Sequence, residues 1–420
     1  MRNIELGVIF IVLLSSCMSS QETKQTMQSE KKVTAQVILG NSDYQAISYG
    51  GYRGEARTEQ PAVSQLKEDM LIMSAMGIKV LRTYNLQLPH ASNVLKAIAE
   101  LKAERADFEM YVMLGAWIDC KNAWTDQPVN HDIESEFNKA EIDRAVQMAN
   151  QYPDIVKVLA VGNEAMVKWA ATYFVQPDVI LKWVNYLQEL KKTGKLSIDV
   201  WVTSSDNFAS WGGGSDEYHV EALNQLIEAV DYISLHTYPM HDTHYHPVFW
   251  GIDEREEAMG KEKAIELAMQ RSIDYAKQQY DSVKNYIKKL GIEKQIHIGE
   301  TGWASEDNHL YGLEGAQATD EYKQSLYYHM MREWTDKENI SCFFFEAFDE
   351  PWKDASNVGG SENHFGLFTV DGQAKHALWS AVDQGTFKGL TRDGKIIGKT
   401  FEGNEAKLLE SVPFPPVKVN

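Results

Sequence analysis

The sequence predicts an α/β fold, a single-domain (β/α)8 TIM barrel, on three observations. Eight short β-rich runs recur along the 420 residues. Amphipathic stretches with helical spacing separate them. Several of the apolar runs end abruptly in charged or amide side chains, as barrel strands do where they reach the loop face.

Taken in order, the strand candidates are "AISYGG", "IKVLRTY", "FEMYVMLGAW", "VKVLAVGN", "IDVWVTSS", "DYISLHTY", "QIHIGE" and "ISCFFFEAF". The helices fall between them. Leu66, Met70 and Met73 share one face, and Gly77 ends that segment. "SNVLKAIAELKAE" opens on a Ser-Asn cap. "EFNKAEIDRAVQMANQY" and "PDVILKWVNYLQELKKTG" repeat the pattern, the second starting at Pro177 and closing at Gly194. Ile265, Met269, Ile273, Ala276, Tyr280, Val283, Ile287 and Leu290 form a long ladder that stops at Gly291. "DEYKQSLYYHMMREW" is the last strong helix. A doubly wound nucleotide-binding sheet is the competing architecture. It would need a G-x-G-x-x-G loop after the first strand, and "GGYRGE" does not supply one.

The two ends of the chain read differently from the middle. "MRNIELGVIFIVLLSSC" holds an Arg, then an apolar run too short to span a bilayer, then small residues before Cys17. "LSSC" resembles the lipobox of bacterial lipoproteins, which implies cleavage before Cys17 and lipidation of that residue. The expected division is a signal peptide over 1–16, lipidated Cys17 and a polar tether over 17–40, the barrel over 41–390, and a C-terminal extension over 391–420 packed on it. The expected location is outside the cell, lipid-anchored at an outer membrane or cell surface.

A net charge of −19 argues against nucleic-acid partners, because polyanion binding needs a positive surface. Cys120 and Cys342 lie too far apart to suggest a disulfide framework or a metal site, and read as buried thiols. Tryptophans crowd into loop-like stretches, "GAWIDCKNAW", "VKWAATYF", "FASWGGG" and "HPVFWG". Exposed rings of this kind stack on the flat apolar faces of sugars, although most tryptophans in a chain serve the core.

The strand tips carry the chemistry. Strand 2 ends in Arg82, Thr83 and Tyr84, strand 4 in Asn163 and Glu164, and strand 6 in His236, Thr237 and Tyr238. Strand 7 ends in Glu300 before Trp303, and strand 8 in Glu346, Asp349 and Glu350 before Lys353. Either glutamate alone reads equally well as a strand end reaching water. Together, with an Arg and a Tyr in register, they suit cleavage of a glycosidic bond: one carboxyl protonates the leaving oxygen while an ionised one attacks the anomeric carbon. Arg82 would keep the nucleophile ionised, Tyr238 would hydrogen-bond to it, and Asn163 would hold a sugar hydroxyl. Gly162 reads as clearance for close substrate approach.

Five segments, "LRTYN", "VGNEAM", "HTYP", "IGETGWAS" and "FEAFDEPWK…ENHFGLF", together resemble glycoside hydrolase family 17 from about residue 47 to 380. The resemblance implies a single catalytic barrel and retaining cleavage of β-1,3-glucan of the laminarin type, with endo action expected. It places Glu164 as acid/base and Glu300 as nucleophile, and lines the cleft with Tyr49, Trp303, Glu350 and Lys353 beside Arg82, Asn163 and Tyr238. Asp349 stands where plant members carry Asn. No cofactor is implied, and the expected partners are a β-glucan and, through Cys17, a membrane, with the chain a monomer. A transglycosylase using the same carboxylates is the nearest alternative, and a non-catalytic glycan-binding lipoprotein the more distant one. His236, His241, His244 and His246 invite a metal reading, but their spacing matches no usual zinc pattern and a cleft-lining loop is preferred.

Overall fold

Alternation along each strand explains how the barrel closes. The computed structural model describes residues 32–417, so the expected signal peptide, Cys17 and most of the tether lie outside the described residues. The barrel strands are β1 Gln45–Ser48, β2 Ile78–Arg82, β3 Tyr111–Ala116, β4 Val156–Asn163, β5 Trp201–Asn207, β6 Ile233–His236, β7 Ile296–Gly302 and β8 Cys342–Phe345. They close in the order β1-β8-β7-β6-β5-β4-β3-β2 with every neighbour parallel. In β3, Val112 and Leu114 join the helix-side core, while Tyr111 and Met113 join a second cluster with Ala46, Val80, Val158, Ala160, Tyr232 and Phe343. Side chains that alternate in this way fill the lumen with one set and glue the helices with the other.

Around the strands run α1 Val63–Ala75, α2 His90–Glu104, α3 Asn138–Gln151, α4 Pro177–Lys192, α5 Glu221–Ala229, α6 Lys261–Lys289 and α7 Glu321–Lys337. The predicted ladder of α6 is real: Ile265, Met269, Ile273, Ala276, Val283 and Ile287 are all buried. Each large one contributes roughly 1.5–3 kcal/mol by leaving water. Gly77 and Gly291 follow their helices at φ 86° and 73°, the left-handed stop that side-chain-bearing residues disfavour. Helix α5 escaped the sequence reading because its apolar signal is only Leu223, Leu226 and Ile227 in nine residues.

Two stretches carry structure that the sequence pattern does not announce. The tether was drawn to residue 40, but Ala35–Ile38 form a short helix whose Ala35 and Ile38 are buried in the lumen cluster. Four residues make barely one helical turn, too short for a period to show. The loop after β3 also holds its own hairpin, Cys120–Lys121 against Asn130–Glu134. At the other end, residues 391–417 form a hairpin and a helix, Glu405–Ser411, that lie on the barrel. Arg392 is fully buried there, 2.9 Å from Asp69 of α1 and 4.1 Å above the Phe348 ring. Lys261 and Lys323 donate to the carbonyls of Val412 and Pro413.

Candidate active site

At the C-terminal rim of the strands, side chains from the ends of β2 and β6 converge on Glu300. Arg82, from β2, donates to its Oε2 at 2.6 Å and to the Gly299 carbonyl at 2.7 Å. The Tyr84 hydroxyl reaches the same oxygen at 2.7 Å, and the Tyr238 hydroxyl takes Oε1 at 2.7 Å. Burial alone would push the carboxyl up, but the Arg82 and His236 charges and the two phenols outweigh it. They hold Glu300 below its ordinary value of 4.5. Burial raises the phenols themselves well above theirs, with Glu300 adding to it, so both stay protonated donors. Gly299 makes room for this arrangement, since a Cβ there would sit 2.0 Å from Ser234 Oγ and 2.6 Å from Ser205 Oγ.

Glu164 has the opposite surroundings. It stands at the end of β4 in the left-handed region, φ 47°, with its N–H donating to the Ser205 carbonyl at 3.0 Å. A non-glycine residue held at such a φ marks strain that packing must sustain. Its side chain is 27% exposed, against 9% for Glu300, and His236 Nδ1 lies 3.2 Å from its Oε1. His236 is braced from behind by Ser205, itself bonded to Ser234. The two carboxyls thus differ as acid catalysis by one and attack by the other requires. One is clamped by donors, and the other is open to a substrate oxygen.

Asn163 precedes Glu164 and shares Arg82 with Glu300. Its Oδ1 accepts from Arg82 at 2.5 Å, which fixes the amide and leaves its NH2 group as the part able to meet a sugar hydroxyl. Gly162 is explained locally rather than by substrate clearance. Its φ is 82°, and a Cβ would press 2.8 Å from Ala165 Cβ. Asp206, which the sequence reading missed, is buried beside this loop and accepts from the Met166 N–H at 2.7 Å and Ser210 Oγ at 2.6 Å. Burial, opposed by those donors, raises its pKa to about 6. Tyr84 and His236 are visible at strand tips, but the sequence assigns neither a place beside the two glutamates. Their signal was the same register that selected Arg82 and Tyr238.

The remaining predicted residues separate into wall and core. Lys353 lies 2.9 Å from Glu346 and 3.7 Å from Glu350, and 3.8 Å above the Phe345 ring. Glu350 is 2% exposed and also accepts from the Tyr52 N–H and the Trp352 indole, so its oxygens hold the wall together. Burial pushes Glu346 well above the carboxylate range despite Lys353. Asp349 is paired with Lys375 at 2.7 Å and accepts from the Gly366 N–H, so a carboxylate here is compensated. Trp303 is not a platform: it is fully buried, packs on Trp250 and Tyr327, and donates to the Ala318 carbonyl. Tyr49 is likewise buried and donates to Asp69 at 2.9 Å. Trp211 and Trp250 are core residues as well, bonded to the Ser234 and Ala316 carbonyls. His241 stacks behind Tyr238 at 5.0 Å on the helix Pro239–Tyr245. Among the described residues, no group of three or more His, Cys, Asp or Glu is placed to share a metal ion.

An Arg82→Lys variant tests the clamp. One ammonium cannot serve Glu300, Gly299 and Asn163 together, so kcat/KM falls ~10- to 100-fold. Glu300 ionises below 4.5, so activity persists as pH falls until that carboxyl protonates. Loosening the clamp moves the acid limb to higher pH. A pH–rate profile with an unmoved acid limb would contradict the clamp.

A parallel eight-stranded barrel with a clamped glutamate in β7 and an open one at the tip of β4 defines a glycoside hydrolase. The chain belongs to the BtgE/BtgC glycoside hydrolase domain family, whose signature it matches over residues 46–366. It is 66% identical to an endo-laminarinase from Formosa Hel1_33_131, with 92% of this chain and 99% of that one covered at a TM-score of 0.92. A glycoside hydrolase family 17 β-1,3-glucanosyltransferase from Rhizomucor miehei shares the fold at 19% identity and TM-score 0.53, over 80% and 97% of the two chains. The glucan endo-1,3-β-glucosidase btgC of Emericella nidulans is 23% identical over 83% of this chain, which spans 46% of that protein's length.

Proposed function

We propose that the protein hydrolyses β-1,3-glucan of the laminarin type in endo fashion by double displacement, with Glu300 as nucleophile and Glu164 as acid/base. The observation that carries this is the asymmetry of the pair: Arg82, Tyr84 and Tyr238 donate to Glu300, while Glu164 keeps an exposed edge beside His236. Clamping favours the anion that must attack, and Asn163 is oriented to hold a sugar hydroxyl as positive charge develops at the anomeric carbon. Similarity to the Formosa endo-laminarinase supports the linkage and the endo action.

Digestion of β-1,3-, β-1,4- and β-1,2-glucans with product sizing tests the reading. The expected result is rapid shortening of β-1,3-glucan to small oligomers. Products longer than the substrate would make the enzyme a transglycosylase, and cleavage of the other linkages alone would overturn the substrate.

The motif "LSSC" supports export and attachment to a membrane through a lipid on Cys17, with the barrel outside the cell. Membrane fractionation of a Cys17→Ser variant tests that placement: unchanged membrane retention would exclude the anchor.

A further inference from the structure

Three aromatic side chains at the rim have no part in the chemistry described so far. Trp117 follows β3 directly, Trp124 sits in the hairpin loop after it, and Tyr173 lies in the loop after β4. Trp124 and Tyr173 stack at 5.1 Å and 21°, and Trp117 lies 5.1 Å from Tyr173 and 6.2 Å from Trp124. Unlike the buried tryptophans, Trp124 is 59% exposed. It borders a groove of about 810 Å³ that Gln87, Asp119, Ser135 and Phe137 also line.

We propose that Trp124, backed by Tyr173 and Trp117, is a stacking subsite for a glucosyl unit of the substrate chain on the Glu164 side of the cleft. The proposal rests on the β-glucan reading above. Four observations support it. First, the cluster is joined to the acid/base loop: the Val175 N–H donates to the Ala165 carbonyl at 2.7 Å, and the Cys120 N–H to the Tyr173 carbonyl at 3.1 Å. Second, the loop is built to present the ring. Asn122 and Trp124 have φ values of 67° and 62°, a region that bulky residues avoid. Hydrogen bonds from Asn122 Nδ2 to the Pro128 carbonyl and from Thr125 Oγ1 to the Asn122 carbonyl hold them there.

Third, a carboxyl lies beside the two indoles. The half-buried Asp119 carboxyl interacts with Ser135 and with both Trp117 and Trp124. Fourth, the groove combines flat apolar rings with an amide, a hydroxyl and a carboxyl. A β-glucopyranose unit carries its hydroxyls at the equator and C–H bonds on both faces, so it matches rings below and polar groups at the sides. One face of Trp124 is covered by Tyr173, and the exposed remainder of the ring is what the sugar would meet.

Steady-state kinetics of Trp124→Ala and Trp124→Phe, on laminarin and on a ladder of laminari-oligosaccharides, test the assignment. Loss of the ring is expected to raise KM on long chains roughly tenfold, the size of one stacking contact. The loss should shrink as the chain shortens, with kcat nearly constant, and phenylalanine should restore most of the affinity. An unchanged KM at every length would overturn the subsite. So would an equal fall of kcat at every length, which is the signature of a disturbed catalytic loop. Wild-type activity on laminarin reads the substrate assignment, whereas the variant-to-wild-type ratio across chain lengths reads the platform. The two can therefore fail separately.

Discussion

A Glu300→Ala variant is expected to hydrolyse laminarin at least ~10⁴-fold more slowly than the wild type while still binding it. The size follows from what is removed. Without the carboxylate there is no covalent intermediate, and the remaining groups can only bind and polarise the sugar. The substitution also strands Arg82, whose Oε2 partner lies at 2.6 Å in a buried setting. An unpaired buried charge costs ~3–5 kcal/mol, so thermal melting must accompany the kinetics. Glu300→Gln keeps an acceptor for Arg82 and the phenols, and separates lost chemistry from lost stability. A small anion such as azide can enter the space left by alanine and attack from the same face. The expected product then has the opposite anomeric configuration to the substrate. Turnover that survives both substitutions would remove Glu300 as nucleophile. Turnover lost without any azide product at restored stability would argue against double displacement.

The second large effect belongs to Glu164→Gln, expected to slow glucan hydrolysis ~10²- to 10⁴-fold, the usual contribution of a positioned general acid. The amide keeps the shape and the left-handed backbone of Glu164, φ 47°, but has no proton to give. The test is leaving-group dependence. A nitrophenyl glycoside departs without protonation, so the first step is spared and the deficit should be much smaller than on glucan. Equal deficits on both substrates would mean that Glu164 positions the chain rather than protonating the leaving oxygen.

Most of the barrel was legible because its signals are local. Period-2 and period-3.6 apolar patterns survive in any context, and Gly77 and Gly291 stop their helices by backbone preference alone. Glu164 and Glu300 were legible for a related reason: each sits where an apolar run ends, and a barrel brings such ends to one rim. Helix α5 and the short helix Ala35–Ile38 were less legible because segments of nine and four residues are too short to repeat a period.

The tryptophans show the limit most clearly. Trp211, Trp250 and Trp303 stand, like Trp124, in short stretches with no helical or strand period. Yet each is buried with its indole N–H on a backbone carbonyl, and Trp124 alone of these four faces water. Local sequence fixes neither the direction in which a loop folds back nor the partner its indole finds. The same holds for Glu350 and Lys353: chain position alone does not say that Lys353 lies between Glu346 and Glu350, nor that Glu350 accepts from the Tyr52 N–H. By itself, then, the sequence determined the strand order, the rim and the pair of carboxylates upon it, because these follow from periodicity and chain position. Only the tertiary structure decided which glutamate is clamped, which rings reach solvent, and that Asp206 and His236 support the site. Those outcomes depend on contacts between residues far apart in the chain.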